Sequence, residues 1–339
     1  MMGLPFTRSR PLIGVDLSGR WIKAVQASRR SSPGVRIARP RPGDAFSRED
    51  AALLAGVLER TGFQGNRVVV TPPRESIIAE VLELPPRNSG APLEQLAKLE
   101  IARAHKCDAG SLQVGLWELP SPARAGDQAH VFAAAMSFAR STPILDAFEA
   151  AGLEVAAIDV PANALARAHA GGGLPDAMLE LGWSGALLCV MHAGVVVYER
   201  FIVDAAVSAL VENAAERLSV PREAIEAVVV PDPASGAMYQ DSPLWEELRG
   251  LVAEHLEATA EEVGRSLAYM ANRYHSWQFR RLALSGDGAH LPGLSERLAS
   301  ELQVQVSVGA DGCSTPASLL MAWGAARYDA AGAQRKEAA

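Results

Sequence analysis

Residues 12–26, LIGVDLSGRWIKAVQ, decide how the fold begins, because two apolar runs flank a turn at Ser18 and Gly19. Apolar runs on both sides of a small-residue turn predict a β-hairpin. The first arm ends on an acid, Asp16, and the second arm carries Lys23, one of four lysines in the chain. A carboxylate and an ammonium beside an open turn suit the binding of a phosphate chain and its hydrated metal.

A second segment, residues 178–198, repeats this pattern in weaker form. It opens with apolar, acidic, apolar and small residues as the hairpin does, and it then runs into strands. Glu180 takes the acidic position and Gly182 begins the turn. Duplication of this kind indicates that the two parts of the chain are related in structure.

A third small-residue turn lies in residues 284–293, LSGDGAHLPG, directly after a core strand. Gly286 and Gly288 flank Asp287 in this turn. Turns without bulky side chains let backbone amides approach an anion closely, so each of the three turns is a candidate phosphate contact. Taken singly, each turn is equally well explained as the closure of a hairpin. The order and separation of all three favour phosphate binding.

Composition excludes several classes of protein. The chain has 339 residues, 49% hydrophobic and 21% charged, which is typical of a folded protein of about two domains. A net charge of −7 argues against nucleic-acid binding, which needs clustered basic residues. Three widely spaced cysteines suit neither a disulfide framework nor a CxxC site. The longest apolar stretch, residues 186–198, is shorter than the roughly 18 residues of a membrane span, so membrane association is expected only through a partner.

Hydrophobic periodicity predicts strands and helices along the rest of the chain. Residues 47–60 are predicted as an amphipathic helix with an N-cap serine, and residues 227–231 as a strand. Between residues 74 and 151, the order strand, helix, strand, strand, helix predicts a small α+β subdomain. Three glycines at 171–173 predict a hinge, and residues 329–339 are expected to form a disordered tail.

With these motifs in this order, the chain resembles the actin-like ATPase superfamily, and within it the PilM family of type IV pilus assembly proteins, which is related to FtsA. Residues 13–25 look like the first phosphate motif of the family, 179–190 like the second, and 284–293 like its adenosine motif. Residues 147–167 and 261–269 are also similar to family segments. The resemblance covers nearly the whole chain.

The resemblance implies an α/β actin-like ATPase fold of two lobes, each with a mixed sheet flanked by helices. Residues 1–73 and 152–171 would form the first lobe, and residues 74–151 the inserted subdomain that the family shares with FtsA. Residues 172–328 would form the second lobe, with a smaller part at about 205–280.

The resemblance also implies a site for ATP and Mg²⁺ shared by the three motifs. Its cofactor-binding residues would be Asp16, Ser18, Gly19, Lys23, Glu180, Gly182, Glu262, Arg265, Ser266, Gly286 and Gly288. Asp16 and Glu180 would hold Mg²⁺ through water. Glu262, Arg265 and Ser266 would lie near the ribose and adenine, with a solvated helix face as the alternative.

The motifs depart from the family pattern in ways that weaken a nucleotide site. Arg20 and Trp21 are bulky residues in the first turn, and Glu180 replaces an aspartate in the second. Ala186 stands where the second motif ends in threonine, so one hydroxyl donor is missing. Asp287 places a negative charge where glycine is common. The resemblance therefore implies a weakened or vestigial nucleotide site with little or no ATPase activity.

The PilM resemblance implies a cytoplasmic scaffold that is peripheral to the inner membrane. The family binds the short cytoplasmic N-terminus of its membrane partner PilN in a groove that involves the inserted subdomain. Homo-oligomerisation is left open. Two alternatives remain: a type II secretion scaffold of the GspL kind, and an actin-fold phosphotransferase such as a sugar or acetate kinase. A phosphotransferase needs a group that orients the acceptor, and the sequence offers no identifiable residue for it.

Overall fold

The structure, a computed structural model, describes residues 11–27, 33–39, 45–120, 127–169, 176–192, 194–230, 243–274 and 277–328. The hinge predicted at residues 171–173 and the tail predicted at residues 329–339 lie outside these ranges. Within them, no helix combines the length and apolar character that a membrane span requires.

The described residues form strands and α-helices in the following order along the chain. The part before residue 170 contains β1 (Ile13–Asp16), β2 (Trp21–Gln26), β3 (Gly34–Ala38), α1 (Arg48–Arg60), β4 (Arg67–Thr71), β5 (Ile78–Leu84), α2 (Leu93–His105), β6 (Leu112–Glu118), β7 (Ala129–Ser137), α3 (Phe138–Ala150), β8 (Glu154–Ile158) and α4 (Pro161–Ala168). The later part contains β9 (Ala177–Leu181), β10 (Ala186–His192), β11 (Val195–Ile202), α5 (Val207–Leu218), α6 (Arg222–Val229), α7 (Trp245–Arg273), β12 (Arg281–Ser285), α8 (Leu294–Leu302), β13 (Gln305–Val308) and α9 (Leu320–Ala326).

Two five-stranded sheets of matching topology form the two lobes. The first has the order β3-β2-β1-β4-β8, and the second has the order β11-β10-β9-β12-β13. In each, the central strand pairs antiparallel with the next strand and parallel with another, as β1 does with β2 and β4, and β9 with β10 and β12. Both central strands are fully buried. The two-lobed α/β architecture predicted from the sequence is confirmed.

A separate antiparallel sheet lies between β4 and α3, with the strand order β5-β7-β6. We call β5, α2, β6 and β7 the insertion. α2 packs on one face of its sheet. The other face touches the second lobe, since Trp117 Nε1 donates to the carbonyl of Val196 at 2.8 Å. The buried carboxylate of Glu199 on β11 also forms an ion pair with Arg74, just before the insertion. α3, which follows, packs on α1 and adds Phe148 to the core of the first lobe.

Two helices join the lobes at close range. α9 packs against both α4 and β1. A Cβ added at Gly324 of α9 would lie 1.7 Å from the carbonyl oxygen of Ala164 on α4. A Cβ added at Gly14 of β1 would lie 1.9 Å from the carbonyl oxygen of Ala322 on α9. Both positions need glycine because backbone occupies the space of a side chain.

The prediction of a strand at residues 227–231 is wrong for the part of this segment that the structure describes. Residues 227–229 belong to α6 and residue 231 lies outside the described ranges. The apolar, β-branched composition of this segment favours a strand locally. The buried residues of α6 are Ile225 and Val229, which are four positions apart and therefore share one face of a helix.

Candidate functional site

The predicted hairpin brings Asp16 and Lys23 together. The two residues are directly opposite each other on β1 and β2, and both side chains are about 1% exposed. Lys23 Nζ lies 3.8 Å from Asp16 Oδ2. The other carboxylate oxygen of Asp16 accepts the backbone N–H of Ser18 at 2.8 Å, so the turn folds around this carboxylate.

The second lobe supplies the hydrogen-bond acceptor for Lys23. Lys23 Nζ donates to Asp287 Oδ2 at 2.9 Å, and the Asp287 side chain is completely buried. Arg36 Nη1 lies 3.9 Å from the other oxygen of Asp287. Glu180, at the end of β9, is also buried and acts electrostatically on Lys23. Three acidic side chains, those of Asp16, Glu180 and Asp287, therefore surround one buried ammonium.

Burial and mutual interaction shift the pKa values in this cluster. Burial opposes the charge on Lys23, but the carboxylates of Asp287, Asp16 and Glu180 outweigh it and raise the pKa of the ammonium. Burial raises the pKa of Glu180 to about 8, against the opposing attraction of Lys23. Burial also raises the pKa of Asp16, although Lys23 and Ser18 pull in the opposite direction. Lys23 is therefore charged at neutral pH, and Glu180 is substantially protonated.

The glycines of the other two turns use their amides within the protein. Gly182 N–H donates to the carbonyl of Gly185 at 3.0 Å. Gly288 N–H donates to the carbonyl of Leu181 at 2.9 Å, and Gly286 N–H donates to a carbonyl in the loop before α9 at 3.1 Å. These three donors are thus already paired, whereas phosphate binding by a turn needs amides that point at the ligand.

Two tryptophans and an arginine fill the space between the turns. The rings of Trp21 and Trp183 are in edge-to-face contact, with their centroids 5.7 Å apart. The Arg20 guanidinium lies 5.6 Å from the Trp183 ring centre and forms an ion pair with Glu226 on α6. An added Cβ at Gly19 would be 3.6 Å from the Cβ of Trp183, so the first and second turns lie side by side.

In this arrangement the residues do not fit a phosphate chain. The Lys23 ammonium is bonded to Asp287, and carboxylates repel phosphate oxygens at this range. Asp16 and Glu180, the predicted ligands of Mg²⁺, lie next to Lys23, which competes with a cation for them. Among the described residues, no group of three or more His, Cys, Asp or Glu side chains is placed to hold a metal.

Two of the three residues predicted near the ribose and adenine accept hydrogen bonds from a neighbouring strand. Arg200 on β11 donates to Glu262 Oε2 at 2.7 Å and to Ser266 Oγ at 2.9 Å. Arg265 forms an ion pair with Glu262 along the same helix. Their role in nucleotide binding stays a prediction.

Sequence reasoning missed the partners in these contacts. Arg36, Arg200 and Glu226 carry no motif, and nothing local indicates which charged group they meet. Asp287 had a usable signal, namely an acid at a glycine position of the third turn. Its pairing with Lys23 spans 264 positions in the chain, so only the fold reveals it.

Neither a protein-family model nor a curated protein matches the sequence. Solved structures do match. A chain of a PilM–PilN type IV pilus biogenesis complex is 18% identical and has a TM-score of 0.72, with 94% of this chain and 98% of that chain covered. The ethanolamine utilization protein EutJ from Carboxydothermus hydrogenoformans is 15% identical, covers 95% and 94% of the two chains, and has a TM-score of 0.58.

A third structure, MreB5 of Spiroplasma citri bound to ADP, is 11% identical, with 98% of this chain and 99% of that chain covered and a TM-score of 0.53. The chain has the actin-like ATPase fold. The motif resemblance is thereby confirmed for the fold. The first two turns that the sequence predicts as phosphate contacts follow β1 and β9, the equivalent central strands of the two sheets, and the third follows β12.

Proposed function

We propose that this chain is a PilM-like scaffold of a type IV pilus assembly platform. It binds the short cytoplasmic N-terminal peptide of a PilN-like inner-membrane protein, and this peptide holds it at the inner membrane. Support comes from the likeness to a chain of the PilM–PilN complex over almost the full length of both chains. The observation that carries the proposal is the insertion, which stands beside the second lobe and has an apolar inner face.

The inner face of the insertion offers anchoring positions for a peptide. Ala79 and Val81 are two positions apart on β5 and therefore share one face of the sheet. Val81 is opposite Phe132 on β7, and Phe132 stacks on Trp117 with ring centroids 4.5 Å apart. Val81 is 38% exposed although its neighbours Phe132 and Trp117 pack against the core of the second lobe. An exposed apolar side chain beside the buried Phe132 ring is a suitable contact for an apolar peptide residue.

Nucleotide hydrolysis has no part in this proposal. Transfer of a phosphoryl group requires cations and donors free to contact the phosphates, and Lys23 is bonded to Asp287 instead. The scaffold acts by holding a peptide, and we infer little or no ATPase activity.

The substitution Val81→Glu tests the proposal, with Leu99→Glu as its matched control. Leu99 lies on α2, is 57% exposed, and belongs to the same insertion but to its outer helix. A charge at position 81 would be buried by the bound peptide without a partner, so the peptide should bind at least about tenfold more weakly. The Leu99→Glu variant should bind as the unmodified chain does.

Calorimetric titration with a synthetic peptide of a PilN N-terminus gives both affinities. If both substitutions weaken peptide binding equally, or if neither weakens it, the peptide binds elsewhere. Either result would contradict binding at the inner face of the insertion. A cytoplasmic peptide from a type II secretion membrane protein serves as the second ligand. Tighter binding of that peptide would assign the scaffold to a secretion platform.

A further inference from the structure

We propose that this chain closes its own interlobe cleft, with the ion pairs Lys23–Asp287 and Arg20–Glu226 acting as a latch that holds the two lobes together without a bound nucleotide. Lys23 and Arg20 belong to the first hairpin, and Asp287 and Glu226 belong to the second lobe. Each pair therefore crosses the cleft. The latch does not depend on which peptide the insertion binds.

Three contacts cross between the lobes. We call the fully buried pair Lys23–Asp287 the floor of the cleft, and the more exposed pair Arg20–Glu226 its mouth. At the floor, Lys23 Nζ donates to Asp287 Oδ2 at 2.9 Å. Between the turns, Ser184 Oγ donates to the carbonyl of Ser18 at 3.3 Å. At the mouth, the ion pair of Arg20 with Glu226 has the Trp21 and Trp183 rings beside it.

The floor contact resists opening because its members are buried. Separating the lobes would move Asp287 away from Lys23 and leave each charge short of its partner. Breaking a buried ion pair is far more costly than breaking a surface one, since an uncompensated buried charge remains. Asp16 Oδ2 and Asp287 Oδ1 have no hydrogen-bond donor among the described residues. These two carboxylates are therefore stabilised mainly by the nearby cations.

Asp287 supplies the negative charge that a phosphate would bring to this position. Its carboxylate meets the hairpin lysine, and Arg36 lies 3.9 Å from its second oxygen. An anion fixed to the second lobe thus neutralises a cation fixed to the first lobe. In a cleft without such an acid, a bound anion would have to neutralise the cation.

The aromatic contact at the mouth adds apolar closure. Trp21 is 8% exposed, and its buried neighbours in the same core belong to the second lobe and the insertion. Arg36 lies over the Trp21 ring, with the guanidinium carbon 4.5 Å from the ring centre. Opening the cleft would expose this ring, and exposing apolar surface is unfavourable.

The latch is tested by double electron–electron resonance, which measures the distance between two spin labels. The labels are placed at Glu59→Cys on α1 and Glu216→Cys on α5, two exposed positions in different lobes. Cys107 and Cys313 are first replaced by serine, because the structure leaves these thiols partly or fully accessible. The latch predicts one narrow distance distribution in nucleotide-free buffer that millimolar ATP and Mg²⁺ do not change.

Asp287→Asn removes the floor pair, and Asp204→Asn, an exposed acid of the second lobe, is the matched control. In the Asp287→Asn protein the distribution should become broader or shift, while the control should keep the narrow one. Lys23 retains the Asp16 carboxylate in this variant, so we expect the protein to fold. If it does not fold, Arg20→Gln tests the mouth pair by the same measurement. A broad distribution in the unmodified chain, or one that narrows when ATP and Mg²⁺ are added, would overturn the latch.

Discussion

Lys23 is a buried ammonium beside three acidic side chains, and these surroundings differ from those of a cation beside an open phosphate-binding turn. Its sequence position predicted a charged group beside the turn, and the structure places it there with Asp16 opposite. The prediction failed to foresee that the charge would be met by Asp287 from the other lobe. Local sequence patterns predict where a residue lies on a strand or turn, whereas the partner of its side chain depends on how distant segments pack.

Glu180 gives this cluster a measurable pH dependence. Burial raises its pKa to about 8 from an ordinary value of 4.5. A carboxyl with a raised pKa binds its proton more tightly in the folded state, so its contribution to stability is present at low pH. That contribution is lost as the pH rises through the interval between the two values, and above about 8 the charged form is the destabilising one.

Glu180→Gln should remove this dependence, because glutamine resembles the protonated side chain and does not titrate. We expect the free energy of unfolding of the unmodified chain to fall, relative to the variant, by more than about 1 kcal/mol between pH 5 and pH 8. Urea unfolding across this pH range measures it. Glu216→Gln, at an exposed position, is the control. If the free energy of unfolding changes with pH in the same way for the unmodified chain and for Glu180→Gln, the raised pKa of Glu180 is contradicted.

At the scale of elements, predictions succeeded where one local signal determines the structure. Ser47 was predicted as an N-cap, and it forms a capping box with Asp50 at the start of α1. The strands and helices of residues 74–151 occur in the predicted order. The segment at 227–231 failed because apolar, β-branched residues suit a strand or a buried helix face equally, and burial against the second-lobe core decides between them.

The contact between α9 and α4 leads to a stability prediction. Gly324→Ala would place a methyl group 1.7 Å from the Ala164 carbonyl oxygen, so the two helices would have to move apart. We expect a loss of about 2 kcal/mol or more in the free energy of unfolding. Gly250→Ala on α7 is the matched control, because an added methyl group meets nothing there within 4 Å.

The control substitution should stabilise the protein by about 0.5–1 kcal/mol, as alanine does when it replaces glycine within a helix. Chemical unfolding of the three proteins gives the comparison. A Gly324→Ala variant as stable as the Gly250→Ala variant would show that the packing of α9 against α4 is looser than described.

At the scale of the whole molecule, the chain is an actin-like fold in which hydrogen bonds between the lobes join the segments that the sequence predicts as phosphate contacts. The fold was predictable because its three motifs recur in order along the chain. The contacts that close the cleft could not be predicted from the sequence, because they depend on Arg20, Trp183 and Glu226 meeting across two lobes. The proposed latch closes the cleft, so the proposed partner site is the insertion, and we expect partner binding to need no nucleotide.

According to both proposals, the chain binds a partner peptide while its cleft stays closed without nucleotide. The most direct test is calorimetric titration of the full chain with a synthetic peptide of a PilN N-terminus, with and without millimolar ATP and Mg²⁺. The account predicts saturable binding of one peptide per chain in nucleotide-free buffer, with the same dissociation constant when ATP and Mg²⁺ are present. Binding that occurs only with ATP and Mg²⁺ would contradict the closed cleft. Absence of binding under both conditions would contradict the scaffold function.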